Sequence, residues 1–168
     1  MPGGNRERTF FLFAGTHVYG GFAGHETQLS ERDPVAHPVV LCGDLLGDDA
    51  PAFENRDDNS YHVVTAGTFL MPTQSVRLDG FWIRGGEVSD PGLSGISSQG
   101  GGLLLHGEVE IVGCTIHDNR AGYGGGIYFR GERLHLAHCR VIGNSASAGG
   151  GVSCSSISSV PLASTGAK

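Results

Sequence analysis

Apolar and polar residues alternate in short runs along most of this chain, and the runs recur. From Val109 to Phe129 the sequence reads V-E-I-V-G-C-T-I-H-D-N-R-A-G-Y-G-G-G-I-Y-F. From Leu134 to Cys154 it reads L-H-L-A-H-C-R-V-I-G-N-S-A-S-A-G-G-G-V-S-C. Superposed with Val109 on Leu134, Cys114 falls on Cys139, Ile116 on Val141, Asn119 on Asn144 and Gly124–Gly126 on Gly149–Gly151. Period-two alternation is the mark of strands. Self-similarity at a fixed period of this length is the mark of stacked repeats.

The pattern begins earlier, disguised by an insertion. Val76-x-Leu78-x-Gly80-Phe81-x-Ile83-x-x-Gly86 matches Val109-x-Ile111-x-Gly113-Cys114-x-Ile116-x-x-Asn119 when Val76 is laid on Val109, a longer shift than the one between the later copies. The surplus lies mostly in Glu87–Gln99, whose S-D-P-G-L-S-G is loop chemistry. The glycine corner then returns at Gly100–Gly102. Strand residues alternate faces, which assigns an inward set to each copy. The first has Val76, Leu78, Ile83, Leu103 and Leu105; the second Val109, Ile111, Ile116, Ile127 and Phe129; the third Leu134, Leu136, Val141, Val152 and Cys154. Every matched position is apolar. Copies stacked about 4.8 Å apart would turn these into continuous internal ladders. Phe81, Cys114 and Cys139 make another ladder, and Asn119 above Asn144 an amide ladder at a corner. The glycine triplets suit corners needing positive φ or close backbone approach. No copy buries its ladder face alone, so stability must come from neighbours.

The N-terminal third is less regular. Phe10–Phe13, His17–Phe22, Pro38–Leu41 and Tyr61–Thr65 read as strands. Between them lie a polar loop, Ala23 to His37, with room for one helical turn over Glu26–Arg32, and an acidic loop, Leu45 to Ser60. Three parts follow: an N-terminal segment, residues 1–66; repeats over 67–154; and a disordered tail, 155–168, where the pattern is abandoned.

Composition narrows the function. The 29 glycines lack a collagen period and suit many tight corners. A formal charge of −6 argues against nucleic acid or an anionic membrane as partner. No run of apolar residues is long enough for a transmembrane helix. The basic start and short apolar run at Phe10–Phe13 read as a strand rather than a signal peptide. Cys42, Cys114, Cys139 and Cys154 show no C-x-x-C spacing, so neither a zinc site nor a disulfide framework is expected.

The repeat residues also carry a family resemblance. G-G-G-I (Gly124–Ile127), G-G-G-V (Gly149–Val152), I-H-D-N (Ile116–Asn119) and V-I-G-N (Val141–Asn144) resemble the motifs of bacterial right-handed parallel β-helix repeat proteins, polymorphic outer membrane proteins among them. V-Y-G-G-F-A-G-H-E-T (Val18–Thr27), S-E-R-D-P (Ser30–Pro34), V-L-C-G-D (Val40–Asp44) and N-S-Y-H-V-V (Asn59–Val64) resemble the segment preceding the repeats in large secreted, surface-anchored β-helix proteins. The resemblance implies an all-β fold, a right-handed parallel β-helix (solenoid) with one coil stacked into about five rungs. It implies an extracellular or cell-surface location and an adhesive or spacer role. Family members carry a signal peptide, a capping segment and a C-terminal anchor, so this chain is expected to be a truncated piece. Its uncapped ends would then favour self-association.

Four groups of residues invite chemistry. Trp82, Arg84, His117 and Arg140 lie on the outward face of the second strand of the repeat, where an aromatic beside Arg and His can bind a polysaccharide or cell-surface glycan; ordinary packing of Trp82 under the Glu87–Gln99 loop is the preferred reading. Asp44, Asp48, Asp49, Asp57 and Asp58 offer hard oxygen ligands for calcium, but their spacing fits no known calcium loop, and a solvated acidic loop is preferred. Arg77, Glu110 and His135 share one outward ladder, where opposite charges steady the stack. Cys114, Cys139, Asn119 and Asn144 are read as structural. No catalytic residue is assigned. A polysaccharide-cleaving relative of the pectate lyases is the alternative, but a hydrolase needs converging carboxylates, and on the regular copies only Asp118 lies near the candidate face. The expected function is thus a non-catalytic surface scaffold or adhesin-like fragment without a cofactor, unless the acidic loop takes calcium.

Overall fold

The computed structural model describes residues 4–67, 75–88 and 98–155. Most of the Glu87–Gln99 loop and all of the tail beyond Ser155 lie outside these residues. Thirteen strands are described: β1 (Phe10–Leu12), β2 (His17–Tyr19), β3 (Val39–Cys42), β4 (Val64–Ala66), β5 (Val76–Asp79), β6 (Phe81–Arg84), β7 (Leu103–Val112), β8 (Thr115–His117), β9 (Arg120–Tyr123), β10 (Ile127–Ala137), β11 (Arg140–Ile142), β12 (Ser145–Ala148) and β13 (Val152–Cys154). Two short 3₁₀ turns, Leu29–Glu31 and Pro51–Phe53, interrupt them. The protein is mostly β.

Among the described residues the strands pair in parallel, in three sheets. One sheet runs β1-β4-β7-β10-β13 with β2 and β5 joined to it; a second runs β11-β8-β6-β3; the third is β12-β9. The register follows the repeat. Val76, Leu78 and Ile83 pair with Val109, Ile111 and Ile116, and these pair in turn with Leu134, Leu136 and Val141. Ile127 pairs with Leu103 at a slightly shorter shift than Leu134 with Val109. A bulge between Gly131 and Arg133 absorbs the difference.

The core is the ladder set of the first two copies together with Val63, Val64 and Ala66. Leu78, Ile83, Leu103, Leu105, Ile111, Ile116 and Ile127 are all below 2% exposed, each contributing about 1.5–3 kcal/mol by burial. The third copy departs from expectation. Leu136 and Val152 are each 38% exposed, Cys154 is exposed, and Leu134 and Val141 are only half-buried. A ladder residue is dry only between two neighbours, and among the described residues no strand stacks beyond this copy.

The first glycine of each triplet, Gly100, Gly124 and Gly149, takes a left-handed φ of 61–68°. The third sits tight for a different reason. A Cβ on Gly102 would lie 2.6 Å from the Gly126 carbonyl and 2.9 Å from the Asn119 amide nitrogen. One triplet thus serves both turning and close approach.

The N-terminal third belongs to the same sheets. β1 pairs with β4, β2 with β5 and β3 with β6. Phe10–Leu12 and Val39–Cys42 lie within one residue of the expected bounds, while the other two differ more: His17–Tyr19 rather than His17–Phe22, and Val64–Ala66 rather than Tyr61–Thr65. Tyr61 instead lies under the Arg6 guanidinium, 4.5 Å from its ring centroid. The polar loop is organised by its acids. Glu26 accepts bonds from the amides of Ala23, Gly24 and His25, and Glu31 from those of Thr27 and Gln28. Asp33 does the same for Val35 and Ala36. Arg32 then straps the loop to the sheet, bonding the buried Asp79 at 2.6 Å; Arg77 takes the other Asp79 oxygen and pairs with Glu110 in the expected outward ladder.

Candidate functional site

The outer face of the four-stranded sheet presents alternate residues of β3, β6, β8 and β11. Val40, Trp82, Thr115 and Arg140 form one row by register, and Ile142 pairs with His117 in the next. The four candidate glycan-binding residues Trp82, Arg84, His117 and Arg140 therefore share one face. Trp82 is 42% exposed and meets His117 edge-on, ring centroids 5.8 Å apart. The loop expected to cover it lies mostly outside the described residues. Arg84 and Arg140 are exposed. His117 is held by a 2.7 Å bond between Nδ1 and Asp118 Oδ2.

The acidic loop is only in part the solvated stretch expected: most of it is exposed, but its C-terminal end is buried. Arg56 and Asp58 are each 9% exposed and Asn59 is fully buried. Of the five aspartates, only Asp48 and Asp57 are exposed. The others replace backbone partners that an irregular loop lacks. Asp44 accepts bonds from the amides of Gly47, Asp48 and Asp49, and Asp58 from those of Leu45 and Leu46. Carboxylate oxygens of Asp44, Asp48 and Asp58 lie within 4.8 Å of one another, so these three could hold a cation; Asp49 and Asp57 are not part of that group. Asp49 is committed elsewhere, bonded by Asn59 Nδ2 at 3.0 Å and facing Arg56 at 3.4 Å. Burial pushes its carboxyl above the usual aspartate range, against the pull of Arg56.

The 3₁₀ turn Pro51–Phe53 folds back beside β6 and β8, and a cavity of about 430 Å³ opens between them. Asp49, Phe53, Arg56, Arg84 and Asp118 line it. Arg56 ties its walls together. One guanidinium nitrogen donates to the Asp118 carbonyl at 2.7 Å, another faces Asp49, and the group lies 4.6 Å from the Phe53 ring centroid. Sequence reasoning named Asp49, Arg84 and Asp118 in separate roles but missed Phe53 and Arg56. The available signal was Arg56 itself, one cation inside a run of carboxylates; a charge so placed tends to be an internal partner rather than a solvated residue.

The ladder residues are buried against backbone. Asn119 is fully buried. Its Nδ2 donates to the carbonyls of Ile83 (3.1 Å) and His117 (2.9 Å) and to Asn144 Oδ1 (3.0 Å), while its Oδ1 accepts from Gly86 N (2.9 Å). Asn144 Nδ2 donates in turn to the Ile116 carbonyl. Asn59 extends this corner from the acidic loop, donating to the Gly85 carbonyl at 2.8 Å. Cys114 and Cys139 are free thiols, bonded to Val112 and Ala137 carbonyls. Burial pushes the Cys114 thiol up to about 12 and raises Cys139, so neither is a nucleophile at neutral pH.

No helix of the described residues is long and apolar enough to cross a membrane. Comparison with protein-family models, with curated proteins and with solved structures returned no match.

Proposed function

We propose that the chain is part of a right-handed parallel β-helix of about five rungs, a non-catalytic scaffold displayed outside the cell that contacts polysaccharide or cell-surface glycan through the outer face of its four-stranded sheet. The observation that supports this reading most directly is the register: matched residues of successive copies pair in parallel, with an amide ladder inside the corner. Stacking of that kind makes a stiff rod, and a rod with Trp82 and Arg84 on one flank is suited to adhesion. On this reading the protein is of the polymorphic outer membrane protein or surface-anchored β-helix kind, and calcium at Asp44, Asp48 and Asp58 would brace a loop rather than perform chemistry.

A second reading, a remnant of a carbohydrate-active β-helix enzyme, is favoured by one feature: Asp49 and Asp118 line the same cavity as Arg84. Affinity electrophoresis against a panel of neutral and uronate polysaccharides tests the first reading. Retardation by at least one polymer is expected, weakened in Trp82→Ala. Incubation with polygalacturonate, with and without EDTA, tests the second. No chain cleavage is expected; calcium-dependent cleavage would overturn the scaffold reading.

A further inference from the structure

Strain and unmet hydrogen-bonding capacity concentrate around the cavity beside β6. Five non-glycine residues among those described take a left-handed φ, and four belong to this corner: Ala52 (61°), Phe53 (63°), Asn55 (58°) and Asp118 (52°). Backbone strain of this sort costs about 1–3 kcal/mol per residue and gathers where a ligand is held. Buried polar atoms without a hydrogen-bond partner gather here too. Arg56 Nε belongs to a residue that lines the cavity, while Asn59 Oδ1 and His117 Nε2 lie just behind it, on the residues bonded to Asp49 and to Asp118.

From this cavity we infer a sugar-binding pocket for a neutral hexose unit, a site distinct in chemistry from one selecting an acidic polymer. The inference rests on the proposed glycan-binding role and specifies its ligand. The formal charges of the lining cancel, Asp49 and Asp118 against Arg56 and Arg84, so the cavity carries no net charge to select an anion or a cation. What remains is a lining that holds both donors and acceptors. The Arg84 guanidinium makes no ion pair or side-chain hydrogen bond among the described residues, and it offers several N–H groups in one plane. Asp118 is bonded to His117 through Oδ2, and its side chain is 56% exposed. A sugar hydroxyl both donates and accepts, so vicinal hydroxyls can bridge Asp118 and Arg84 where a carboxylate ligand would meet Asp118 with like charge. Arg56 is a positioning residue: it holds the Asp118 carbonyl and so fixes the strained backbone from which the carboxylate projects. Trp82, two positions before Arg84 on the same strand face and roughly 7 Å away, provides an apolar ring for the next unit of a chain.

The test uses methyl glycosides of glucose, galactose and mannose, with galacturonate as the anionic counterpart, titrated by calorimetry and ligand-observed NMR into the folded chain. At least one neutral glycoside should bind, and more tightly than galacturonate. Asp118→Asn and Arg84→Ala alter exposed side chains and should keep the fold by circular dichroism while weakening binding at least tenfold. Asp57→Asn, outside the cavity, should bind as the parent does. The pocket falls if no neutral glycoside binds, if galacturonate binds more tightly, or if both cavity variants bind at full strength. Should polymer binding be lost in Trp82→Ala yet unchanged in both cavity variants, the adhesive reading stands and the pocket alone is refuted.

Discussion

Replacing Asn119 by alanine removes a side chain of zero exposure that satisfies four groups at once. The two N–H groups of Nδ2, shared among the Ile83 and His117 carbonyls and Asn144 Oδ1, disappear together with the oxygen that accepts from the Gly86 amide. Each buried backbone group left without a partner costs about 1–3 kcal/mol. With the Gly86 N–H and Ile83 C=O as the groups least able to find water, the expected loss is about 3–5 kcal/mol, against total stabilities of about 5–15 kcal/mol for ordinary domains. Asn144→Ala is the internal control. It is the same chemical change one copy later, but Asn144 is half-buried; it donates to the Ile116 carbonyl and accepts from the backbone and side-chain amides of Asn119. Water can replace much of that, so about 1–2 kcal/mol is expected. Asn119→Asp separates shape from bonding. It keeps the volume but turns acceptors toward the Ile83 and His117 carbonyls, and should cost at least as much as alanine. Urea denaturation with fitted slopes measures all three, and hydrogen exchange at the Gly86 amide should accelerate in Asn119→Ala. A loss for Asn119→Ala smaller than that of a single unpaired buried group, or an equal or larger loss for Asn144→Ala, would refute the idea that the amide ladder braces this corner.

Asp79 lies between two arginines at 3% side-chain exposure, so Asp79→Ala should destabilise by about 1.5–3 kcal/mol, leaving Arg32 without its ion pair and Arg77 with Glu110 alone. Arg32→Ala should cost clearly less in the same denaturation assay, because Arg77 still serves the carboxylate. Glu26 is held down to about 2, first by the Ala23 amide and then by those of its neighbours. A depressed carboxyl contributes order that is present above its unfolded value and lost as pH falls through its folded one. The amide shifts of Ala23, Gly24 and His25 should therefore titrate together with a midpoint near pH 2, and a midpoint in the ordinary glutamate range would contradict the capped turn.

The repeat was legible because its information is local in the aligned frame. Val109, Ile111 and Ile116 each have an apolar counterpart in the copy that follows and in the copy that precedes, and parallel pairing keeps matched residues adjacent. Strand type, register and the ladder positions follow from that alone. Burial of the third copy did not follow, since an apolar residue at the end of the described stack lacks the neighbour that would dry it. Equally hidden was the fit of the N-terminal third. β2 pairs with β5 through His17 and Arg77, which share no sequence pattern, and the loop between β2 and β3 is strapped by Arg32 to Asp79, far along the chain. The candidate site is a still clearer case. Trp82 and Arg84 could be placed on one face by alternation, but nothing local says that Asp49, Phe53 and Arg56 return to that face. Their position depends on a turn of left-handed residues, a buried guanidinium and the carbonyl of Asp118, contacts that exist only once the chain has folded. Periodicity determines what stacks; the irregular segments, whose partners lie anywhere in the chain, decide where a cavity forms.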